Sequence, residues 1–311
     1  MKTLFGRDAL AVTEQGSAVT IGTFDGVHVG HRALIARTLD ASRAQELESV
    51  VVTWDRHPAA TLRPDAVPPL LTTPERKVEL IEECGVDTLA ILPFDRELSS
   101  WPPERFVEDV LVSGLGARAL VVGDGWRFGR KATGDVALLR RLGEEMGFSV
   151  RSLPLAEVSG GPASSTRARD AVAAGDMELA RAIMGRPFDL DGEVVRGDDR
   201  GVALGFPTAN IAIDEAYAHP PTGVYAGRAG LDEEIHAAAI NVGVNPTFGV
   251  DEADVRPRIE AYLLDFSGDL YGRVLRVEFH KRLRDERKFD SVEGLIDQIA
   301  RDVEATRALT C

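Results

Sequence analysis

Ala18-Val19-Thr20-Ile21-Gly22-Thr23-Phe24-Asp25-Gly26-Val27-His28-Val29-Gly30-His31 is the stretch that decides how the N-terminal half folds. Its first four residues form a short β-prone apolar run, three glycines punctuate residues 22 to 30, and a helical pattern then continues from His31 to Ser42. A strand that passes through a glycine-rich turn into a helix builds an anion site. Glycines let the backbone approach a ligand, and the helix N-terminus supplies free N–H groups at the positive end of its dipole. His28 and His31, two of the six histidines, stand three apart here, so both can reach one phosphate as it gains charge in a transition state. A surface turn or a metal pair would also accommodate the histidines, but no third ligand accompanies them at usable spacing.

Working outward, further β-prone runs lie at Ser49 to Thr53, Asp87 to Leu92, Ala119 to Val122 and Phe148 to Leu153. Helical patterns near Pro74 to Cys84, Pro103 to Leu111 and Asp135 to Met146 alternate with them. Repeated β-α units predict a parallel sheet covered on both faces, and such sheets bind ligands at the carboxyl ends of their strands. Two more helices are expected over Ser165 to Ala174 and Met177 to Met184, separated by Gly175-Asp176. After Gly185-Arg186-Pro187 the texture changes. Turn clusters at Arg196 to Gly201, His219 to Gly223 and Asn245 to Gly249 separate short strand-like runs, a pattern expected of an antiparallel barrel or sandwich. An amphipathic helix from about Ser291 to Leu309, capped by Asp290 or Ser291, ends the chain.

With 311 residues, two domains are expected. The longest apolar runs are strand-length, and the first eight residues lack a secretory pattern, so the expected location is the cytoplasm with no membrane partner. Cys84 and Cys311 are too isolated for a disulfide framework or a zinc site. The formal charge of −14 opposes nonspecific binding to nucleic acid, so any phosphate must be gripped locally.

His28-Val29-Gly30-His31 resembles the His-x-Gly-His signature of the nucleotidyltransferase superfamily. The full segment is similar to the FMN adenylyltransferase half of prokaryotic bifunctional riboflavin kinase/FAD synthetases. The resemblance implies ATP binding by Gly22, Thr23, Phe24, Asp25 and Gly30, with the α-phosphate near His28 and His31. It adds Ser164, Ser165, Thr166, Arg167 and Arg169 of Ser164-Ser165-Thr166-Arg167-Ala168-Arg169, whose hydroxyl, N–H and guanidinium groups suit β- and γ-phosphates. Two positions depart from many relatives: Arg56 stands where Pro is usual, and Gly125 where Asp or Asn is usual.

In the second half, Gly205-Phe206-Pro207-Thr208-Ala209-Asn210 is similar to the signature of riboflavin kinases. It implies that Thr208 and Asn210 hold the Mg²⁺ of Mg·ATP, which takes most of its charge compensation from the phosphates. Further matches run through Pro221 to Ala226, Asn241 to Gly249, Ile259 to Phe266, Asp269 to Gly272 and Arg282 to Asp290. By the same resemblance Glu260 accepts the proton of a ribityl hydroxyl, with Asp265 and Asp269 as rivals. Gly205, Pro207, Arg284, Glu286 and Phe289 are assigned to the ATP and flavin pocket, although a salt bridge at a helix start would also explain Arg284 and Glu286.

The expected protein is an α/β nucleotidyltransferase domain with a Rossmann-like parallel sheet over residues 1–184. A riboflavin kinase domain follows over 185–311, an antiparallel β-barrel with a terminal helix. Riboflavin and Mg·ATP would give FMN at the second, and FMN with another ATP would give FAD and pyrophosphate at the first. The cofactor is Mg²⁺, and the partners are ATP, riboflavin and FMN. An alternative, prompted by Gly125 and Arg56, keeps only the kinase. A flavin-binding regulator would not need the whole set of His28, His31, Thr208, Asn210 and Glu260. The sequence leaves assembly as a homo-oligomer open.

Overall fold

Ser17–Ile21 (β2) is buried along its whole length, as an interior strand covered on both faces must be. It sits in a six-stranded sheet with Lys2–Phe5 (β1), Glu48–Trp54 (β3), Thr88–Leu92 (β4), Ala117–Gly123 (β5) and Ser149–Leu153 (β6), in the order β1-β4-β3-β2-β5-β6. Every neighbouring pair is parallel. The chain builds outward from β2 to β3 and β4, then crosses to β5 and β6 on the other side. The crevice at the carboxyl ends of β2 and β5 is therefore the topological switch point, where such sheets take ligands. The structure is a computed structural model and describes all residues except 11, 13, 198–200, 202–203, 233, 245–256 and 311. The turn expected at Asn245 to Gly249 and part of the one at Arg196 to Gly201 lie outside the described residues, as does Cys311.

Alternation in β3 supplies both faces of this sheet. Val50, Val52 and Trp54 pack into one cluster with Leu120 and Val122, while Val51 packs into the other with Phe24, Val27, Ile35, Leu80 and Ile81. Three covering helices are Val29–Gln45 (α1), Pro74–Glu82 (α2) and Val136–Met146 (α3). Asp135 caps α3 by accepting Leu138 N–H at 2.9 Å, and Gly147 closes it in the left-handed region. The helix expected over Pro103 to Leu111 holds α geometry only to Phe106. It continues as wider turns to Val112, where Ser113 N–H reaches back five residues to Glu108 O. Edge strand β1 was not expected. Lys2-Thr3-Leu4-Phe5 has no apolar run, and its pairing with Thr88 to Ile91 makes it a strand.

The second half contains Phe188–Val195 (β7), Ala209–Ala212 (β8), Gly223–Leu231 (β9), Glu234–Val244 (β10), Pro257–Leu263 (β11) and Val274–Arg284 (β12). They close into an antiparallel barrel in the order β8-β11-β10-β9-β12-β7, with β7 and β8 completing the ring. Ser165–Ala174 (α4) and Met177–Met184 (α5) have the expected bounds, with Asp176 as the cap of α5. Val292–Thr310 (α6) ends the fold, and Ser291 Oγ accepts Gly294 N–H at 3.1 Å at its start.

By packing, the chain divides into two units: Met1–Pro68 with Pro74–Ser164, and Pro69–Thr73 with Ser165 onward. The second unit thus begins before the change of texture at Gly185, because Met177, Ala180, Ile183 and Met184 of α5 are buried within it. Among the described residues no helix is long and apolar enough to cross a membrane.

Candidate active sites

The turn after β2 is held in backbone conformations that side chains rarely tolerate. Phe24 and Val27 have φ of 51° and 38°, beside Gly26 at 81°. Left-handed backbone costs a non-glycine residue about 1–3 kcal/mol. Both side chains are fully buried against Ile35, Val51 and Leu80, which offsets the strain and makes the turn rigid before any ligand arrives. Val27 N–H closes it onto Phe24 O at 3.1 Å, Gly22 N–H donates to Val52 O, and Thr53 Oγ1 donates to Thr23 O. Asp25 is buried within it.

The two histidines stack, with ring centroids 3.6 Å apart and planes 19° from parallel, and Phe24 tilts against His31. His28 caps α1: its Nδ1 accepts His31 N–H at 3.3 Å, so Nε2 carries the proton of the neutral ring. Gly30 leaves little room for a side chain, since a Cβ would stand 3.1 Å from His28 Cε1 and 3.3 Å from Ala163 O. His31 Nδ1 is sealed from solvent with no hydrogen-bond partner among the described residues. Burial, then the neighbouring His28 and Lys77, push the His31 pKa well below its usual value. His31 is therefore neutral at physiological pH.

Lys77, on α2, was missed because Pro74-Glu75-Arg76-Lys77 reads as a solvated helix start. Its Nζ donates to Trp54 O at 2.9 Å. Burial lowers its pKa against the pull of Asp25 and Asp55, which places a desolvated cation near the histidines. Arg56 is exposed and pairs with Asp55 at 2.8 Å. Gly125 is exposed, and a Cβ there would meet nothing within 4 Å. Ser164 closes the first unit, whereas Ser165, Thr166, Arg167 and Arg169 belong to α4 in the second. Arg169 Nε donates to Pro69 O at 2.6 Å.

In the barrel, the register puts Glu260 directly between two amides, opposite Asn210 of β8 and Asn241 of β10. Arg258, Glu260 and Tyr262 share one face of β11, while Ile259, Ala261 and Leu263 are buried on the other. Arg258, Glu260 and Tyr262, together with Ala261 and Leu263, line a cavity of about 1010 Å³. Thr208 and Asn210, two residues apart, line the same cavity, as do Pro207, Glu286 and Phe289; Gly205, at φ 85°, sits in the turn that precedes them. A Cβ at Gly197 would come within 2.1 Å of Asn210 Nδ2 and 2.6 Å of its Oδ1, so the glycine leaves the space that the amide occupies. Asp269 accepts Tyr271 N–H at 3.0 Å in a turn, Asp265 pairs with Arg307 at 2.6 Å, and Glu260 and Glu286 both line the cavity.

Arg284 also lines the cavity, and its charge is met by Asp302: Nη2 and Nε lie 2.8 and 3.0 Å from Oδ2. Asp302 is buried in the middle of α6, so this pair ties the terminal helix to β12 rather than capping a helix start. Arg284 and Arg287 approach the Phe289 ring at 5.9 and 4.8 Å. Arg258 was not singled out in the sequence. Its Nη2 stands 2.7 Å from Glu260 Oε1, and its Nε and Nη2 donate to Asn210 Oδ1 at 2.9 and 2.7 Å.

The first unit is thus an α/β nucleotide-binding domain of the nucleotidyltransferase type, and the second is a closed β-barrel with a large cavity lined by its strands and its terminal helix. The FAD synthetase family profile matches residues 11–167, and the riboflavin kinase profile matches 184–310. The bifunctional riboflavin kinase/FMN adenylyltransferase of Escherichia coli K12 is 38% identical over 290 residues, 93% of this chain and 91% of its own. Its namesake from Pseudomonas fluorescens is 38% identical over 309 residues, 99% of this chain and 98% of that one. That from Bacillus subtilis is 33% identical over 92% of this chain and 90% of its own. The crystal structure of a macrolide-efflux protein from Streptococcus pneumoniae superposes with a TM-score of 0.89 at 30% identity, covering 99% of both chains. The chain belongs to the bifunctional riboflavin kinase/FMN adenylyltransferase family.

Proposed function

We infer that the chain runs two ATP-dependent reactions in sequence, riboflavin to FMN in the barrel and FMN to FAD at the cradle of the parallel sheet. The observation that carries this reading is that each unit holds its own distinct chemistry: a paired-histidine anion cradle in one, and a carboxylate set between two amides in a flavin-sized cavity in the other.

In the barrel, Glu260 takes the proton of a ribityl hydroxyl. The oxygen of that hydroxyl attacks the γ-phosphorus of ATP, and the bond to the β-phosphate oxygen breaks to release ADP. Thr208 and Asn210 would hold Mg²⁺. They fit it, since both residues line one cavity and Asn210 Oδ1 already attracts a cationic side chain. When bound, the metal supplies neutralisation of phosphate charge. Pro207, Glu286 and Phe289 shape the pocket, and Arg284 does so through its stem while Asp302 holds its charge.

At the cradle, the phosphate of FMN is already ionised and attacks the α-phosphorus of ATP, releasing pyrophosphate with no covalent enzyme intermediate. What this step asks of the protein is position and charge stabilisation rather than a base. Gly22, Thr23, Asp25 and Gly30 present backbone to the nucleotide, Phe24 fixes the turn, and His28 Nε2–H and His31 face the α-phosphate. For Ser164, Ser165, Thr166, Arg167 and Arg169 the reading rests on the resemblance alone. The functional boundary falls near Gly185, and ATP as co-substrate of both reactions supports a cytoplasmic location.

The test is to incubate the purified chain with riboflavin, ATP and Mg²⁺ and follow flavins by chromatography. FMN should appear first and FAD after it. FMN that accumulates with no FAD would favour the kinase-only alternative, and neither product would defeat both readings.

A further inference from the structure

Arg258 connects the two residues on which the kinase reading depends most. One guanidinium donates twice to the amide oxygen of Asn210, at 2.9 and 2.7 Å, and lies 2.7 Å from the carboxylate of Glu260. The arrangement is partly shielded, with about a quarter of each charged side chain exposed (24% and 24%) and Asn210 buried. The Asn210 amide packs close to Gly197, where a Cβ would stand 2.1 Å from its Nδ2.

An amide oxygen so placed cannot serve Arg258 and a divalent cation together. Mg²⁺ requires its oxygens at about 2.1 Å in near-octahedral order, and a guanidinium on the same oxygen would stand as a like charge a few ångströms away. The same guanidinium also neutralises the carboxylate that must receive a proton.

We propose that Arg258 is a positioning residue that holds the cation place of the kinase site until the metal and nucleotide arrive. It keeps Asn210 and Glu260 in register in the ligand-free barrel. Entry of Mg²⁺ with the nucleotide displaces it from Asn210, the phosphates accept the freed guanidinium, and the Glu260 carboxylate is released to take the hydroxyl proton. Mg²⁺ alone offers Arg258 no new partner, so the site opens to the metal–nucleotide pair. This rests on the reading of Thr208 and Asn210 as metal ligands.

The experiment titrates Mg²⁺ into the full chain with riboflavin and ADP, which has no γ-phosphoryl group to transfer, and reads riboflavin binding by fluorescence quenching. In R258Q and R258A the Mg²⁺ concentration at half-maximal quenching should fall by about tenfold, the scale of one charge-assisted hydrogen bond that no longer has to be broken. R258K keeps the charge but loses the fork, so its value should fall between these variants and the original chain. N210A should need more Mg²⁺. If N210A needs more while the Arg258 variants need as much as the original chain, or more, the metal reading stands and the displacement is wrong. If N210A leaves the requirement unchanged, the metal assignment fails and the proposal with it. A merely structural role would weaken binding without lowering the metal requirement. If the neutral variants unfold, R258K decides alone: a lowered requirement supports displacement, and an unchanged or raised one overturns it.

Discussion

Glu260→Gln keeps the volume and one carbonyl oxygen of the side chain and removes the group that takes a proton. Its neighbours are Asn210 and Asn241 across the strands and the Arg258 guanidinium at 2.7 Å. The lost ion pair is partly exposed on both sides, so the change should cost the fold about 1 kcal/mol or less. Loss of a general base costs on the order of 100-fold to 10,000-fold in rate. The kinetic effect should therefore far exceed the structural one. The assay measures FMN formation from riboflavin and FAD formation from supplied FMN on the same preparation. We expect kcat for the first to fall by about 100-fold or more, with KM for riboflavin and ATP changed only a few-fold, and the second to stay at its original rate. A kinase kcat within about threefold of the original would remove Glu260 from the role of base.

Three further outcomes are expected. His28→Ala or His31→Ala should lower FAD formation by about 100-fold, the scale of one lost charge-stabilising donor, and leave riboflavin phosphorylation intact; undiminished FAD synthesis in both would refute the cradle assignment. Gly125→Asn has open space for its side chain and should fold normally, with adenylylation as fast as in the original chain or faster. A melting temperature several degrees lower would show that the space is not open. A fragment starting at Ser165 should resist urea better than one starting at Gly185, since the shorter one loses α5 with Met177, Ile183 and Met184. Burying one such side chain is worth about 1.5–3 kcal/mol, so equal midpoints would contradict this packing.

The parts legible in the sequence were those set by local chemistry. The apolar runs of β2 to β6, the caps Asp135, Asp176 and Ser291, and the glycines of the cradle each state their structure within a few residues. What escaped depends on residues far apart. Lys2 to Phe5 becomes a strand only by pairing with Thr88 to Ile91. The turn-rich second half suited a sandwich as well as a barrel, and closure rests on the pairing of Asn210 with Val195 and of Ile211 with Val194. Lys77 and Arg258 looked like ordinary surface charges, and only the fold places one beneath the histidine cradle and the other on Asn210 and Glu260. Arg284 was placed at the cavity, but its partner Asp302 lies eighteen residues on, in a helix that must first dock.

The central claim is that two independent sites on one chain act in sequence, and complementation tests it most directly. Glu260→Gln and His31→Ala are each supplied with riboflavin, ATP and Mg²⁺, alone and mixed, and FAD is measured by chromatography. Neither variant alone should make appreciable FAD, the first for want of FMN and the second for want of adenylylation, while the mixture should make it as FMN diffuses from one protein to the other. FAD from either variant alone at the original rate would contradict the account, as would a mixture that makes none although each variant keeps its other activity.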